Sequence, residues 1–545
     1  MLRRKRLHLA EASHKSRRTF LADKALSFIP TARYTVHFGR ERTGVAGSKL
    51  TGNEVVEGTG VRPISEGPGR GGTGRRIPRR TRYAGLIAAL AAAVMLAAGC
   101  SSSGSSNGST SSSSAAATSA AASGAASAPD TTGASPVASA AGTDVGLTAT
   151  TIRVAMIADV NNPLVPGLFQ DSVNAVKAWA SDVNASGGLA GRKVVVDFCD
   201  SKLDPNATAN CVIKACQNDF AMVGTSANAL EDLSDIDGCK NSQGQAIGIP
   251  NLPAFAFPPA ACDPKTYLTS GIGTYCSTAK ESPPTSEVPI GDARYFTKTV
   301  QGLHGIWLYD TDDPTFKQTQ TPTFEAESNL GIKKDGQGFY GLSGAAPQSA
   351  LTPFIQQIKS SGSTFVYDDV TTAAMVLLRR EAQLQGVNTV KVWECNSGCY
   401  DPAFYQQGGA TVNGTYAMLL DLPYLSDYKT NPTLSKLITQ LGGLTKFNNN
   451  AENSYVNALL FQDAVNKAAA TGTLNRQTLF TALNDEHSFT AKGLIGPTDV
   501  GSHKTTACEV IVQLQNGVWT RVDPVTPGTF DCSAANNTTI KYAPS

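Results

Sequence analysis

The sequence predicts an α/β protein with two Rossmann-like lobes, and three observations carry that reading. After residue 146, apolar runs of strand length alternate with amphipathic stretches of helix length, the pattern of a parallel sheet covered by helices. The alternation starts afresh near residue 304. The folded stretch, 146–545, has roughly 400 residues, more than one hydrophobic core usually supports.

The elements follow in order. Ile152–Ala158 reads as a buried strand. A helix from about Leu168 to Asn184 places Val173, Val176, Trp179, Ala180 and Val183 on one side and stops at Gly187-Gly188. Lys193–Cys199 is a strand, Asn206–Asn218 a helix, Phe220–Gly224 a strand, and a further strand centres on Leu252–Phe257. In the second series His304–Tyr309 is a strand ending at Asp310, and a helix lies near Thr321–Leu330. Leu351–Ser360 is a helix, Thr364–Tyr367 a strand, Thr371–Gln385 a helix and Val390–Trp393 a strand.

The amino-terminal part has a different character. Arg75, Arg76, Arg79, Arg80 and Arg82 precede an apolar run from Tyr83 to Ala98, which ends in Leu96-Ala97-Ala98-Gly99-Cys100. A basic segment, an apolar segment and small residues before a cut make a secretory signal over 75–99. The Cys after the cut resembles the lipobox of bacterial lipoproteins, which implies lipidation of Cys100; the alternative is a short membrane anchor with an incidental Cys. Residues 1–74 are rich in Arg and Gly, and translation is expected to begin downstream, at a codon such as that of Val61. Gly67–Gly72 has the letters of a dinucleotide fingerprint but follows no strand and opens no helix. Residues 100–145, nearly all Ser, Ala, Gly and Thr after the Cys, read as a flexible tether.

Charge divides at the same place. Residues before Cys100 hold 19 Lys+Arg and 6 Asp+Glu; those from Cys100 onward hold 27 and 38. The mature part is acidic, which argues against nucleic acid as a partner. Ten cysteines remain: Cys199, Cys211, Cys216, Cys239, Cys262, Cys276, Cys395, Cys399, Cys508 and Cys532. An even number in an exported chain reads as five disulfides. Nearness along the chain favours Cys395–Cys399, Cys262–Cys276 and Cys508–Cys532, with the other four sharing two bridges. No Cys-x-x-Cys is present and only His304, His487 and His503 lie in the mature part, so no metal site is expected.

Asn184-Ala185-Ser186-Gly187-Gly188-Leu189-Ala190-Gly191-Arg192-Lys193 is similar to the turn after the first helix in periplasmic binding proteins of the branched-chain amino-acid type. Asp200 through Asp204-Pro205-Asn206-Ala207 and Phe220–Ser226 resemble the next two segments of that family. Leu351–Gly386 and Asn453–Ala468 match it by order and spacing. The resemblance implies a type I fold, with two lobes joined by a three-segment hinge and the ligand in the cleft between them. The first lobe would comprise 146–290 and 415–488, and the second 291–414 and 489–545. It also implies a lipid-anchored, monomeric protein on the outer face of the bacterial membrane that hands a small ligand to an ABC transporter permease. A ligand sensor of the same fold, or a secreted enzyme, is the alternative.

Ligands of open α/β sheets sit outside the carboxyl ends of the strands. In the first lobe those ends offer Thr225, Ser226 and Asn228, expected just before a helix, and the backbone of Ala254, Phe255 and Ala256. By resemblance Ser226 or Asn228 and the backbone of 254–256 match positions that grip an amino acid's carboxylate, or the Ser and Asn are helix caps alone. In the second lobe Asp310 and Thr371 stand at strand ends, and Glu394 matches the acid that meets the ligand's ammonium, or is a solvated acid. Asp310–Asp313 also suggests Ca²⁺, although the other ligands of an EF-hand are missing. A small polar molecule with an anionic and a cationic end, an amino acid or a derivative, fits both lobes. Tyrosines that aliphatic-selective members carry near Pro314 and Thr371-Thr372 are absent, and a long insert spans Ala261–Pro289. No Gly-x-Ser-x-Gly, His-Glu-x-x-His or phosphate-binding Gly-x-x-x-x-Gly-Lys occurs, so neither catalysis nor a cofactor is expected.

Overall fold

The computed structural model describes residues 141–545, apart from 163–165, 231, 257–259, 270–284, 313, 505 and 542–545. The signal segment, Cys100, Cys276 and most of the tether lie outside the described residues.

The first series builds a parallel sheet. Strand β1 (Thr151–Ala158) leads to helix α1 (Gln170–Ala185), β2 (Lys193–Asp200), α2 (Pro205–Asn218), β3 (Ala221–Val223), the one-turn α3 (Ser234–Asp237) and β4 (Asn251–Leu252). The order is β2-β1-β3-β4. Helix α1 buries the expected Val173, Val176, Trp179, Ala180 and Val183. It ends where Gly188 takes a φ of 91°; a Cβ there would lie 2.3 Å from the Arg192 carbonyl oxygen. Asp204 caps α2 by accepting from the Ala207 N–H at 2.7 Å, and Pro205, which has no N–H to leave unsatisfied, starts the helix. The strand expected to run to Phe257 stops at Leu252.

The second series builds a larger sheet. It comprises β5 (Thr285–Pro289), α4 (Gly291–Thr299), β6 (His304–Asp310), α5 (Pro314–Asn329), β7 (Lys333–Leu342), α6 (Gln348–Ser361), β8 (Phe365–Asp369), α7 (Thr372–Leu384), β9 (Val392–Cys395), α8 (Pro402–Gly408) and β10 (Thr415–Leu419). Helix α5 begins seven residues earlier than expected and runs through Pro322. Strand β7 carries Gly336 and Gly338 and mostly exposed polar residues in its first half, so it shows no apolar run to read. The chain continues with α9 (Tyr424–Asp427), α10 (Pro432–Gln440), α11 (Asn449–Ala470), α12 (Arg476–Asn484), β11 (Val510–Gln515), β12 (Val518–Asp523) and β13 (Asn537–Lys541). The seven strands run β12-β11-β10-β9-β8-β6-β7, and β5 pairs with β13 in a separate two-stranded ribbon.

Two boundaries differ from expectation. Residues 415–419 were assigned to the first lobe, but β10 pairs with β9 and β11 inside the second sheet. The return to the first sheet therefore comes after Leu419. The tether was expected to reach residue 145, yet Ala141 bridges Thr473, and the Asp144 carboxylate accepts from the backbone N–H groups of Ser242 and Arg476. Polar backbone groups of the fold are satisfied by the end of the tether, which orders it.

The chain passes between the sheets three times, after Leu252, after Leu419 and after Asn484. The second and third crossings pair with each other where Asp421 bridges Ile495 and the Leu422 N–H donates to the Leu494 carbonyl at 2.7 Å. One apolar cluster runs from β1 and α1 through α11 to the α6–α7 face of the larger sheet. Helix α11 is buried on nearly every side because it lies within this cluster. Disulfides join Cys199–Cys211, Cys216–Cys239, Cys395–Cys399 and Cys508–Cys532, and Cys262 is disulfide-bonded as well.

Candidate functional site

The carboxyl ends of β1, β3 and β4 form one edge of the smaller sheet. Asp159 organises it. Its buried carboxylate accepts from the Ser201 hydroxyl (2.6 Å), the Leu203 N–H (2.7 Å) and the Asn228 N–H (2.8 Å). Asp200 accepts from the N–H groups of Val160, Asn161 and Lys202. Burial opposes its ionisation, but the hydrogen bonds from Asn161, Val160 and Lys202 prevail and hold it below the usual carboxylate range.

The residues expected here are close together but differently employed. Thr225 is buried and its hydroxyl has no hydrogen-bond partner. The Ser226 hydroxyl turns inward, donating to the Gly224 carbonyl at 3.1 Å and lying 3.5 Å from that of Ser454 on α11. The Ala254 N–H donates to the Thr225 carbonyl, and Phe255 packs its ring 4.9 Å from Phe169. Ala256 is half-buried against the α2 side of the sheet. The expected helix start after Asn228 is absent. The next helix is the single turn Ser234–Asp237, and the Asn228 N–H already serves Asp159. The Asn228 N–H is thus engaged by an internal carboxylate.

On the larger sheet, Asp310 and Thr371 come together. A Cβ at Gly344 would lie 2.7 Å from Thr371 Cγ2, 3.2 Å from Asp312 Oδ2 and 3.7 Å from Asp310 Oδ2. Thr371 also caps α7 through the Ala374 N–H. Next to them Asp368 is raised well above its usual range by burial, despite the Val370 N–H. Asp369 is pushed up to about 7 by burial; Asn396 opposes this, and Asp310 and Asp292 add to it.

Glu394 lies elsewhere. The side chains of β9 alternate, so Trp393 and Cys395 join the α6–α7 face whereas Glu394 points to the α4–α5 face. There it is 1% exposed, among Asp292, Glu327 and Asp369. Burial raises it well above the usual range and those acids raise it further. It is a sealed acid, neither solvated nor at the sheet's open edge.

Between the sheets the sequence reading missed a second group. Tyr400, after β9, packs edge-on to Tyr424 at 5.0 Å, and Tyr424 packs on Phe447 at 5.0 Å, just ahead of α11. Asp171 at the start of α1 and Asp401 at the start of α8 feel each other's charge. Asp171 also accepts from the Asn448 side chain at 2.9 Å. On α11 Glu452 is fully buried, and Asp421 lies beside it in the second crossing stretch. The available sequence signal was an acid in the first turn of a helix buried all round.

A cavity of about 440 Å³ lies away from these edges, between the outer face of α11 and residues 486–492. Lys467, which lines it, is already paired with Asp463 and Glu486. Among the described residues no group of three His, Cys, Asp or Glu is placed to hold a metal, and no helix is long and apolar enough to cross a membrane.

The fold has close counterparts. It is similar to a fatty acid ABC transporter substrate-binding protein from Thermomonospora curvata, with a TM-score of 0.54 at 16% identity, covering 71% of this chain and 97% of that one. A branched-chain amino acid ABC transporter protein from Thermus thermophilus with bound valine gives 0.55 at 12%, covering 71% and 98%. An ABC transporter substrate-binding protein from Aeropyrum pernix gives 0.54 at 16%, covering 71% and 97%. No curated protein matches. The family model described as periplasmic binding protein matches residues 151–518, from β1 to the start of β12. The chain therefore belongs to the periplasmic binding protein family, whose members bind ligands outside the cytoplasm and are not enzymes.

Proposed function

We propose that this protein is the lipid-anchored substrate-binding component of an ABC transporter. It captures a small polar molecule, an amino acid or a derivative, between its two sheets and delivers it to a permease. The match of the family over 151–518 carries the reading. Two further features support it. The strand ends of both sheets carry small and acidic polar groups, Thr225 and Asn228 on one side and Asp310, Thr371 and Asp369 on the other. The paired crossing stretches, 420–448 and 485–509, provide a hinge about which the lobes close. The anchor is Cys100, after the signal segment, with residues 101–140 as the spacer.

A thermal-shift screen of amino acids, amines, carboxylates and sugars tests the binding function. A ligand at a hundred times its Kd stabilises the folded state by about 2.7 kcal/mol. Unfolding entropy of about 2.1 cal/mol/K per residue gives about 0.8 kcal/mol/K for a unit of roughly 400 residues, hence a rise in Tm of about 3 °C. No rise with any compound would count against the proposal. Cys100→Ala tests the anchor: the variant should leave the membrane fraction, whereas unchanged retention would point to a membrane-spanning segment.

A further inference from the structure

We infer that Glu452, with Asp421 beside it, is the receptor for a protonated amine of the ligand, an inference that rests on the binding function proposed above. Three observations lead there.

Glu452 is 0% exposed, and neither carboxylate oxygen has a hydrogen-bond partner. A buried carboxyl group is normally hydrogen-bonded, so an orphan pair of oxygens calls for a missing donor. The position is also central. Glu452 sits in the first turn of α11, whose cap Asn448 binds Asp171 at the start of α1, so it belongs to the first sheet's edge. Tyr400 and Tyr424, both within reach of its charge, follow β9 and β10 of the other sheet.

Every other ionisable group around Glu452 is acidic or already engaged. Asp421 accepts from Asn449 at 3.1 Å; with its amide nitrogen toward Asp421, Asn453 donates to both carboxylate oxygens at 2.6 and 3.0 Å. Asp427 is paired with Arg521 at 2.6 Å, and that guanidinium also donates to the Pro524 and Thr529 carbonyls. An ammonium group offers three donors and a positive charge, which suits the orphan oxygens and the aromatic rings of Tyr400 and Tyr424.

Burial, with Asp421 and Asp427 adding to it, holds the Glu452 carboxyl well above its usual range, and burial pushes Asp421 up to about 7. In the empty protein burial therefore favours the neutral form of Glu452 over the charged one. An ammonium favours the charged form, so affinity should strengthen as pH rises.

The test uses the purified protein with isobutylamine, putrescine and valine, each against the isostere lacking the amine: isobutanol, 1,4-butanediol and isovalerate. Thermal shift and calorimetry are read at pH 6 and pH 8. At least one amine should raise Tm while its isostere does not, with tighter binding at pH 8. Glu452→Gln, which keeps the shape of the neutral acid, should fold with a Tm no lower than the parent's and lose at least tenfold in affinity. Equal binding by amine and isostere, binding to Glu452→Gln within threefold of the parent, or no response to any amine would overturn the assignment. A response to carboxylates or sugars alone would overturn it and leave the binding function standing, whereas failure of the whole screen would remove both.

Discussion

Replacing Arg521 by Met removes one half of a buried ion pair at the lobe junction. Arg521 and Asp427 are 4% and 1% exposed, with Nε 2.6 Å from Oδ2. Without the guanidinium, Asp427 keeps only the Ser426 hydroxyl at 2.7 Å and the Gly528 N–H at 2.9 Å. The carbonyls of Pro524 and Thr529 lose donors at 2.7 Å each. Breaking such a pair by removing one partner costs about 3–5 kcal/mol, because a charge is left buried and uncompensated. With an unfolding entropy of about 0.8 kcal/mol/K for roughly 400 residues, Tm should fall by about 4–6 °C in scanning calorimetry. The double variant Arg521→Met with Asp427→Leu should recover most of the loss, since apolar replacement of a whole buried pair is often neutral. A drop below about 1 °C in the single variant, or a double variant as unstable as the single, would show that the pair does not hold the junction.

Other outcomes follow from the same packing. Asp421 and Asp369 have folded-state values near 7, raised by burial. The folded protein therefore holds more protons than the unfolded chain between pH of about 4 and 7. Each such acid stabilises the fold fully below about pH 4, and that stabilisation is lost as pH rises, by up to about 1.4 kcal/mol per unit. Tm should be higher at pH 5 than at pH 8, and an equal or higher Tm at pH 8 would contradict the burial of these acids. Gly188→Ala places a Cβ 2.3 Å from the Arg192 carbonyl at a φ of 91°, and should cost more than about 1 kcal/mol in urea unfolding. Thr225→Val removes a buried hydroxyl without a partner, so the unliganded protein should be as stable or more stable; a loss above about 1 kcal/mol would mean that the hydroxyl is satisfied. Glu394→Gln should leave ligand affinity within about threefold, as measured by calorimetry, because the acid is sealed on the α4–α5 face.

What the sequence determined by itself is local. Alternating patterns specified β1, α1, β2 and α2 nearly to the residue, because a buried strand or a one-sided helix needs those residues whatever surrounds it. The Gly188–Arg192 turn and the Asp204-Pro205 cap were legible for the same reason: backbone geometry and capping act within a few residues. The short disulfides followed from nearness along the chain. Only the tertiary structure decided the rest. Strand β7 has no apolar run, and β10 carries no mark of which sheet it joins; pairing with β6 and with β9 and β11 places them. Glu394 and Glu452 are both isolated acids in the sequence. The pleat of β9 turns one to the helix-covered face and the burial of α11 between two sheets encloses the other, and the carboxylate oxygens of both are left without a donor. Strand number and spacing cannot reveal this, because which face of an element is covered, and by what, depends on residues hundreds of positions away.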